Sequence, residues 1–84
     1  MNMEKTECIH LILKHKWYHE IEMGRKKTEF RRYTDRLRKM LQGKKYVVLH
    51  RGFTKTTMTF KIADIEYHID EIWIRLGKRV DDVT

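Results

Sequence analysis

The sequence predicts a small α+β domain, a five-stranded and partly open β-barrel with two short flanking helices. Apolar residues alternate along several short segments, as expected of strands with one buried face. Two other segments carry apolar residues three and four positions apart, as helices do. The chain has 84 residues, enough for one core. Short strands in so small a domain protect their edges best by closing, so a barrel is the predicted architecture.

The first predicted strand is ECIHLILK, in which apolar residues alternate at Ile9, Leu11 and Leu13. Residues 1–5 before it and 80–84 at the other end are predicted to fray. The sequence contains no internal repeat, no low-complexity tract and no Gly/Ser/Pro linker. Residues 1–84 are therefore predicted to form a single domain.

A short helix is predicted over KWYHEIEM, residues 16–23. Trp17 lies four positions and Tyr18 three positions before Ile21, which builds one apolar helix face. Gly24 follows, where a helix can stop through a left-handed residue that only glycine adopts cheaply. The first helix is predicted to end there.

The second strand is predicted in KKTEFRRY, which has β-branched and aromatic residues but no helical face. Side chains alternate across a strand, so Thr28 and Phe30 share one side. Lys27, Glu29 and Arg31 share the other.

A second helix is predicted in TDRLRKMLQG, with Thr34 as its N-cap and Gly43 after its end. Its predicted inner face consists of Leu37, Met40 and Leu41. Its outer face is basic and consists of Arg36, Arg38 and Lys39.

Three further strands are predicted in KKYVVLHR, TTMTFKIADIEYHI and EIWIRL. Their alternating apolar residues are Val47 and Leu49, then Met58, Phe60 and Ile62, then Ile72, Ile74 and Leu76. Gly52, in RGFTK, is predicted to form the turn between the first two of these strands.

The charge of the chain favours a polyanionic partner. Nineteen Lys and Arg against twelve Asp and Glu give a formal net charge of +7. Each phosphate neutralised by Lys or Arg releases counterions, so RNA or a nucleotide is the leading partner. No apolar run approaches the roughly 18 residues of a spanning helix, so no membrane partner is predicted. A single cysteine, Cys8, cannot form an internal disulfide, which favours a cytoplasmic location.

Metal and cofactor chemistry find little support in the sequence. His15 and His19 have a spacing that can bind a metal on a helix, but no third ligand accompanies them. No metal site and no cofactor are predicted. The chain contains no serine, which excludes a Ser-His-Asp arrangement.

One constellation stands out at the junction of the first helix and the second strand. Gly24, Lys26, Glu29 and Arg31 spell G-x-K-x-x-E-x-R. Arg31 could hold a phosphate or a base edge in bidentate fashion, and Lys26 could act as a point charge, a base or a nucleophile. Glu29 could orient either cation.

The order of a strand, a short helix ending in EMGRKKTEFR, and strands closing with EIWIRLGKR resembles the ASCH family, whose fold is similar to the PUA domain. The resemblance extends from about His10 to Leu76, and the G-x-K-x-x-E-x-R motif is its specific part. It implies a PUA-like barrel that binds RNA or a nucleotide in a cleft beside the motif. Some relatives are small enzymes, including an amidohydrolase acting on acetylated cytidine and proteins reported to cleave RNA.

Two departures from the family bear on function. The basic helix over residues 35–42 stands where family members usually have a short loop containing Gly-Asp. Glu29 stands where the amidohydrolase relatives carry a threonine, so only Lys26 matches their catalytic residues. These departures weaken the amidohydrolase hypothesis.

The predicted nucleic-acid-binding residues combine the motif with the basic run that follows it. They are Arg25, Lys26, Lys27, Arg31, Arg32, Arg36, Arg38, Lys39 and Phe53. Candidate base-stacking residues are Trp17, Tyr18, Tyr33 and Phe53, because aromatic faces beside a basic groove commonly read single-stranded RNA. The position of Trp17 beside Ile21 favours core packing for it, whereas Phe53 at a turn tip is predicted to be exposed.

Three functions stay open at this point. The leading hypothesis is a module that binds RNA or a nucleotide through the motif. The second is a small hydrolase acting on a modified cytidine or on RNA, with Lys26 as base or nucleophile and Glu29 as its partner. The third is a small inhibitor or adaptor that docks on a protein of nucleic-acid metabolism. The basic run from Arg25 to Lys45 could also be a solubilising surface, but its excess of positive over negative residues favours a surface that tracks phosphates.

Overall fold

A computed structural model describes residues 5–80 of the chain, and it confirms the predicted α+β class. Five strands form one mixed sheet that curls into a half-barrel, and two helices accompany it. In chain order the elements are a 3₁₀ turn at Lys5–Glu7, β1 Cys8–Leu13, α1 His15–Glu22, β2 Thr28–Arg32, α2 Asp35–Leu41, β3 Tyr46–Arg51, β4 Thr57–Tyr67 and β5 Glu71–Arg79.

The strand order in the sheet is β1-β3-β4-β5-β2. β1 pairs with β3 in parallel, and the other three pairings are antiparallel. The register between β4 and β5 shifts twice between Phe60 and Asp64, as in a β-bulge, which bends a strand and increases its twist. The two edge strands, β1 and β2, are linked by Arg31, whose Nη2 donates to the carbonyl oxygen of Ile12 at 2.8 Å.

The core lies on the inner face of the curled sheet, where the alternating apolar residues predicted from the sequence are buried. These are Ile9, Leu11 and Leu13 of β1, Val47 and Leu49 of β3, Met58 and Phe60 of β4, and Ile72 and Ile74 of β5. Ile62 and Leu76 are partly buried against them. The period-two pattern therefore identified the buried face of four strands.

The helices differ from the prediction at two side chains. Trp17, predicted for the core, is 41% exposed, whereas Tyr18 is buried. Helical spacing places these two residues on either side of Ile21, and only the packed structure shows that the sheet covers the Tyr18 side. Met40, predicted for the inner face of α2, is 43% exposed because this short helix contacts the core through the i, i+4 pair Leu37 and Leu41.

The predicted helix and turn signals are confirmed. Thr34 caps α2, since its Oγ1 accepts from the Leu37 amide at 3.0 Å. Gly24, Gly43 and Gly52 all have positive φ, at 78°, 75° and 55°.

The predicted fraying of residues 1–4 and 81–84 lies outside the described residues. For residues 5 and 80 the fraying stays a prediction, although both take part in local backbone structure. Lys5 begins a 3₁₀ turn, and the Val80 amide donates to the carbonyl of Thr59 at 2.8 Å. Within residues 5–80, no helix has the length and apolar character needed to cross a membrane.

Candidate functional site

The end of α1 fixes the backbone that carries the motif lysine. The helix ends at Glu22, and Gly24 turns the chain through a left-handed conformation. The amides of Arg25 and Lys26 then both donate to the carbonyl of Glu20, at 3.0 and 3.1 Å. Lys26 therefore leaves the helix from a hydrogen-bonded turn rather than from a loose loop.

A buried carboxylate lies at the centre of the motif. Glu29 is 4% exposed, although it belongs to a strand that is rich in charge. Its Oε1 accepts from Lys26 Nζ at 3.1 Å and its Oε2 accepts from Arg31 Nε at 2.8 Å. A buried carboxylate needs such partners, because an unpaired charge away from water is costly. The motif is thus a compact charge cluster, not a solvated ion pair on the surface of a strand.

Two aromatic rings complete the environment of the Lys26 ammonium. Its Nζ lies 4.7 Å from the ring centroid of Trp17 and 5.5 Å from that of Phe30, both within the range of cation–π attraction. Lys16 Nζ lies 4.9 Å from the Trp17 centroid as well. Trp17 and Phe30 are 41% and 46% exposed, so each ring still presents a large part of its surface to solvent.

These groups line a cleft of about 540 Å³ between the end of α1 and β2. Its lining consists of Trp17, Glu20, Arg25, Lys26, Glu29 and Phe30. Arg25 Nε donates to Glu20 Oε2 at 2.7 Å, and this hydrogen bond is the main reason that the pKa of Glu20 is lowered. The cleft therefore combines apolar ring surface with two basic side chains and the two carboxyl groups that pair with them.

The structure brings only part of the predicted binding set into this cleft. Arg25, Lys26 and Glu29 line the cleft. Arg31 does not line it but donates to Glu29, and Gly24 forms the turn that precedes Lys26. Six further predicted binding residues do not line the cleft. Three of them are exposed on α2, namely Arg36, Arg38 and Lys39. The other three are Lys27, Arg32 and Phe53. Phe53 is 95% exposed at the β3–β4 turn, as predicted.

Two of the predicted stacking residues pack against the core instead of lining the cleft. Tyr18 is only 2% exposed, so it cannot stack on a base and serves the core instead. Tyr33 packs partly buried against the core. Trp17, for which the sequence favoured core packing, is the residue of this set that lines the cleft.

Sequence reasoning did not single out Glu20 and Phe30 as site residues. Glu20 lies three positions after Trp17 on α1, which places the two on neighbouring parts of the helix surface. Phe30 lies between the motif residues Glu29 and Arg31, and its exposure follows once the charged side of β2 turns inward. Charged residues usually face solvent and aromatic residues the core, and β2 reverses this arrangement at Glu29 and Phe30. Nothing in the sequence indicates this reversal.

No group of three or more His, Cys, Asp or Glu side chains among the described residues could hold a metal ion. His15, one of the two histidines with metal-ligand spacing, lies against the β3–β4 turn, where a Cβ on Gly52 would be 2.9 Å from its Nε2. Comparisons with protein-family models, with curated proteins and with solved structures found no match to this chain.

Proposed function

We propose that this chain is a module that binds RNA or a nucleotide in the cleft beside the motif, and that it is an ASCH-type domain with a PUA-like fold. The observation that carries the proposal is the position of the Lys26 ammonium, between the rings of Trp17 and Phe30 and above the buried carboxylate of Glu29.

The shape and chemistry of the cleft suit a nucleotide. Its volume of about 540 Å³ lies within the usual range for small-molecule sites. The exposed rings of Trp17 and Phe30 offer apolar faces on which a base can stack. Arg25 and Lys26 provide donors for a phosphate at the same place.

Glu29 supports this function by positioning two cations. Because each of its oxygens accepts from a different cation, it orients Lys26 and Arg31 relative to each other. Arg31 also donates to Ile12 of β1, so the cluster is anchored to both edge strands. A preorganised arrangement of this kind lowers the entropic cost of binding an anion.

The contacts of Lys26 favour binding over catalysis. A carboxylate oxygen at 3.1 Å and two aromatic faces all interact more strongly with an ammonium than with a neutral amine. A nucleophile or general base requires the neutral amine. We therefore assign Lys26 to ligand recognition.

The family assignment has two supports. The half-barrel with α1 beside it agrees with the architecture that the resemblance implies. Two motif residues, Lys26 and Glu29, also line the cleft that the resemblance implies, and Arg31 is hydrogen-bonded to Glu29.

Fluorescence anisotropy with labelled single-stranded RNA tests the proposal. We expect binding at 50 mM salt that weakens strongly at 200 mM salt. Lys26→Ala should cost about 1–3 kcal/mol of binding free energy. Lys55→Ala, an exposed lysine in the β3–β4 turn and outside the cleft, is the matched control. Absence of binding at 50 mM salt, or equal affinities for the two variants, would contradict the proposal.

A further inference from the structure

The outer face of β2 and β5 carries a second set of rings that continues from the cleft. Phe30 and Trp73 lie directly opposite each other in the β2–β5 register, with ring centroids 5.2 Å apart and planes at 84°. His68 lies against Trp73, with centroids 4.1 Å apart and planes at 40°. Since Phe30 also lines the cleft, the two aromatic surfaces share one residue.

The rings of Trp73 and His68 are both held in place by glutamate side chains. Trp73 Nε1 donates to Glu71 Oε1 at 3.0 Å, and His68 Nε2 lies 3.2 Å from Glu66 Oε1. The His68 amide donates to the carbonyl of Glu71 at 2.8 Å, which closes the β4–β5 turn. The His68 side chain nevertheless remains 42% exposed. A fixed ring with an accessible surface provides a stacking platform at low entropic cost.

We propose that His68 is a second base-stacking platform, and that the ligand is single-stranded RNA of several nucleotides rather than a free nucleotide. This inference rests on the proposed function of the cleft. One base would stack in the cleft against Trp17 or Phe30, and a base further along the strand would stack on His68, with Trp73 as the support between them.

The spacing of the groups agrees with such a path. Successive members of the row, from Trp17 through the Lys26 ammonium to Phe30, Trp73 and His68, are 4.1 to 5.5 Å apart. A stacked strand rises roughly 3.4 Å per nucleotide. Each step of the row therefore exceeds the rise of a stacked strand, which fits a partly unstacked strand.

Two arginines flank the row, and Arg32 is exposed there. Arg75 faces Thr28 across the register and Arg32 faces Glu71, so one arginine lies on each side of the Phe30–Trp73 pair. Glu66, on the neighbouring strand, is bound by Arg75 and His68, and Arg75 is the main cause of its lowered pKa. Pairing of this carboxylate with Arg75 offsets its repulsion of a phosphate.

The test compares a nucleoside monophosphate with single-stranded RNAs of two, four and six nucleotides. We expect the affinity of the unmodified protein to rise with length up to about four nucleotides. His68→Ala should weaken binding of the tetranucleotide about tenfold, as expected for loss of one base–aromatic stack, and leave binding of the monophosphate unchanged. His68→Phe should retain the affinity, because it keeps a ring at the position.

His19→Ala is the matched control, since His19 is an exposed histidine on α1 that does not line the cleft. If the tetranucleotide binds and Lys26→Ala weakens it, while His68→Ala and His19→Ala bind equally well, the inference about His68 is wrong and the proposed function stands. If only the monophosphate binds at 50 mM salt, the inference about RNA is wrong. If neither RNA nor the monophosphate binds, both the inference and the proposed function are wrong.

Discussion

Replacing Glu29 with alanine is the most direct perturbation of the candidate site. The carboxylate is the shared partner of Lys26 and Arg31, whose side chains are only 20% and 28% exposed. Breaking a buried ion pair by removing one partner costs about 3–5 kcal/mol. Both cations keep some access to water and Arg31 keeps its bond to Ile12, so we expect the lower end of this range, about 3 kcal/mol.

For a domain of this size, a loss of about 3 kcal/mol corresponds to a fall in Tm of roughly 12–24 °C. Urea unfolding followed by far-UV circular dichroism measures the free energy, and a thermal melt measures Tm. Glu29→Gln preserves the shape of the side chain and one acceptor, so its loss should be smaller. Glu20→Ala is the matched control, because the Glu20 side chain is also paired with an arginine but is 33% exposed rather than buried.

We expect Glu20→Ala to unfold at nearly the same urea concentration as the unmodified protein. Glu29→Ala should unfold at a much lower concentration. If the two alanine variants had the same midpoint, Glu29 would not be an essential partner of the two cations, and the description of the motif as a structural cluster would be wrong.

Three further predictions concern the fold. Ile74→Ala should lower the free energy of unfolding, measured in urea, by about 2–5 kcal/mol, because Ile74 is fully buried. Ile69→Ala is the control and should leave the urea midpoint unchanged, because Ile69 is 94% exposed. Gly24→Ala should cost about 1–2 kcal/mol through backbone strain alone, since a Cβ there would meet no atom within 4 Å; a urea midpoint equal to that of the unmodified protein would contradict this. Partial desolvation and the neighbouring His50, whose Nε2 lies 2.8 Å from His10 Nδ1, lower the pKa of the exposed His10 from its usual 6.5. The contribution of His10 to stability is therefore present above pH 6.5 and is lost as pH falls through the folded-state pKa. Melts between pH 7.5 and 5 should show this loss, and His10→Gln should reduce it.

Much of the fold could be predicted because its signals are local. Alternating apolar residues identified the strands and their buried faces, as at Ile72 and Ile74. Thr34 and Gly24 mark a helix start and a helix end through backbone chemistry that depends on one or two neighbouring residues. Such features need no knowledge of the distant parts of the chain.

The candidate site could be predicted only in outline. The spacing in G-x-K-x-x-E-x-R indicated that Glu29 and Arg31 share a strand side, and the structure joins them at 2.8 Å. The prediction that Trp17 packs in the core was wrong, because Trp17 and Tyr18 flank Ile21 on the helix and the sheet covers only the Tyr18 side. A periodicity of 3.6 residues gives the width of an apolar face but not the position of the surface that packs on it.

By itself, the sequence determined the strands, the two short helices, the left-handed turn at Gly24 and the excess of positive charge. Only the tertiary structure decided that Glu29 is buried, that Trp17 and Phe30 flank Lys26, and that the row of rings continues to His68. The physical reason is that these contacts join α1, β2, β5 and the β4–β5 turn, which only the tertiary structure brings together. Local preferences act within a few residues, whereas the charge cluster and the aromatic row depend on strands that are distant in sequence being brought together.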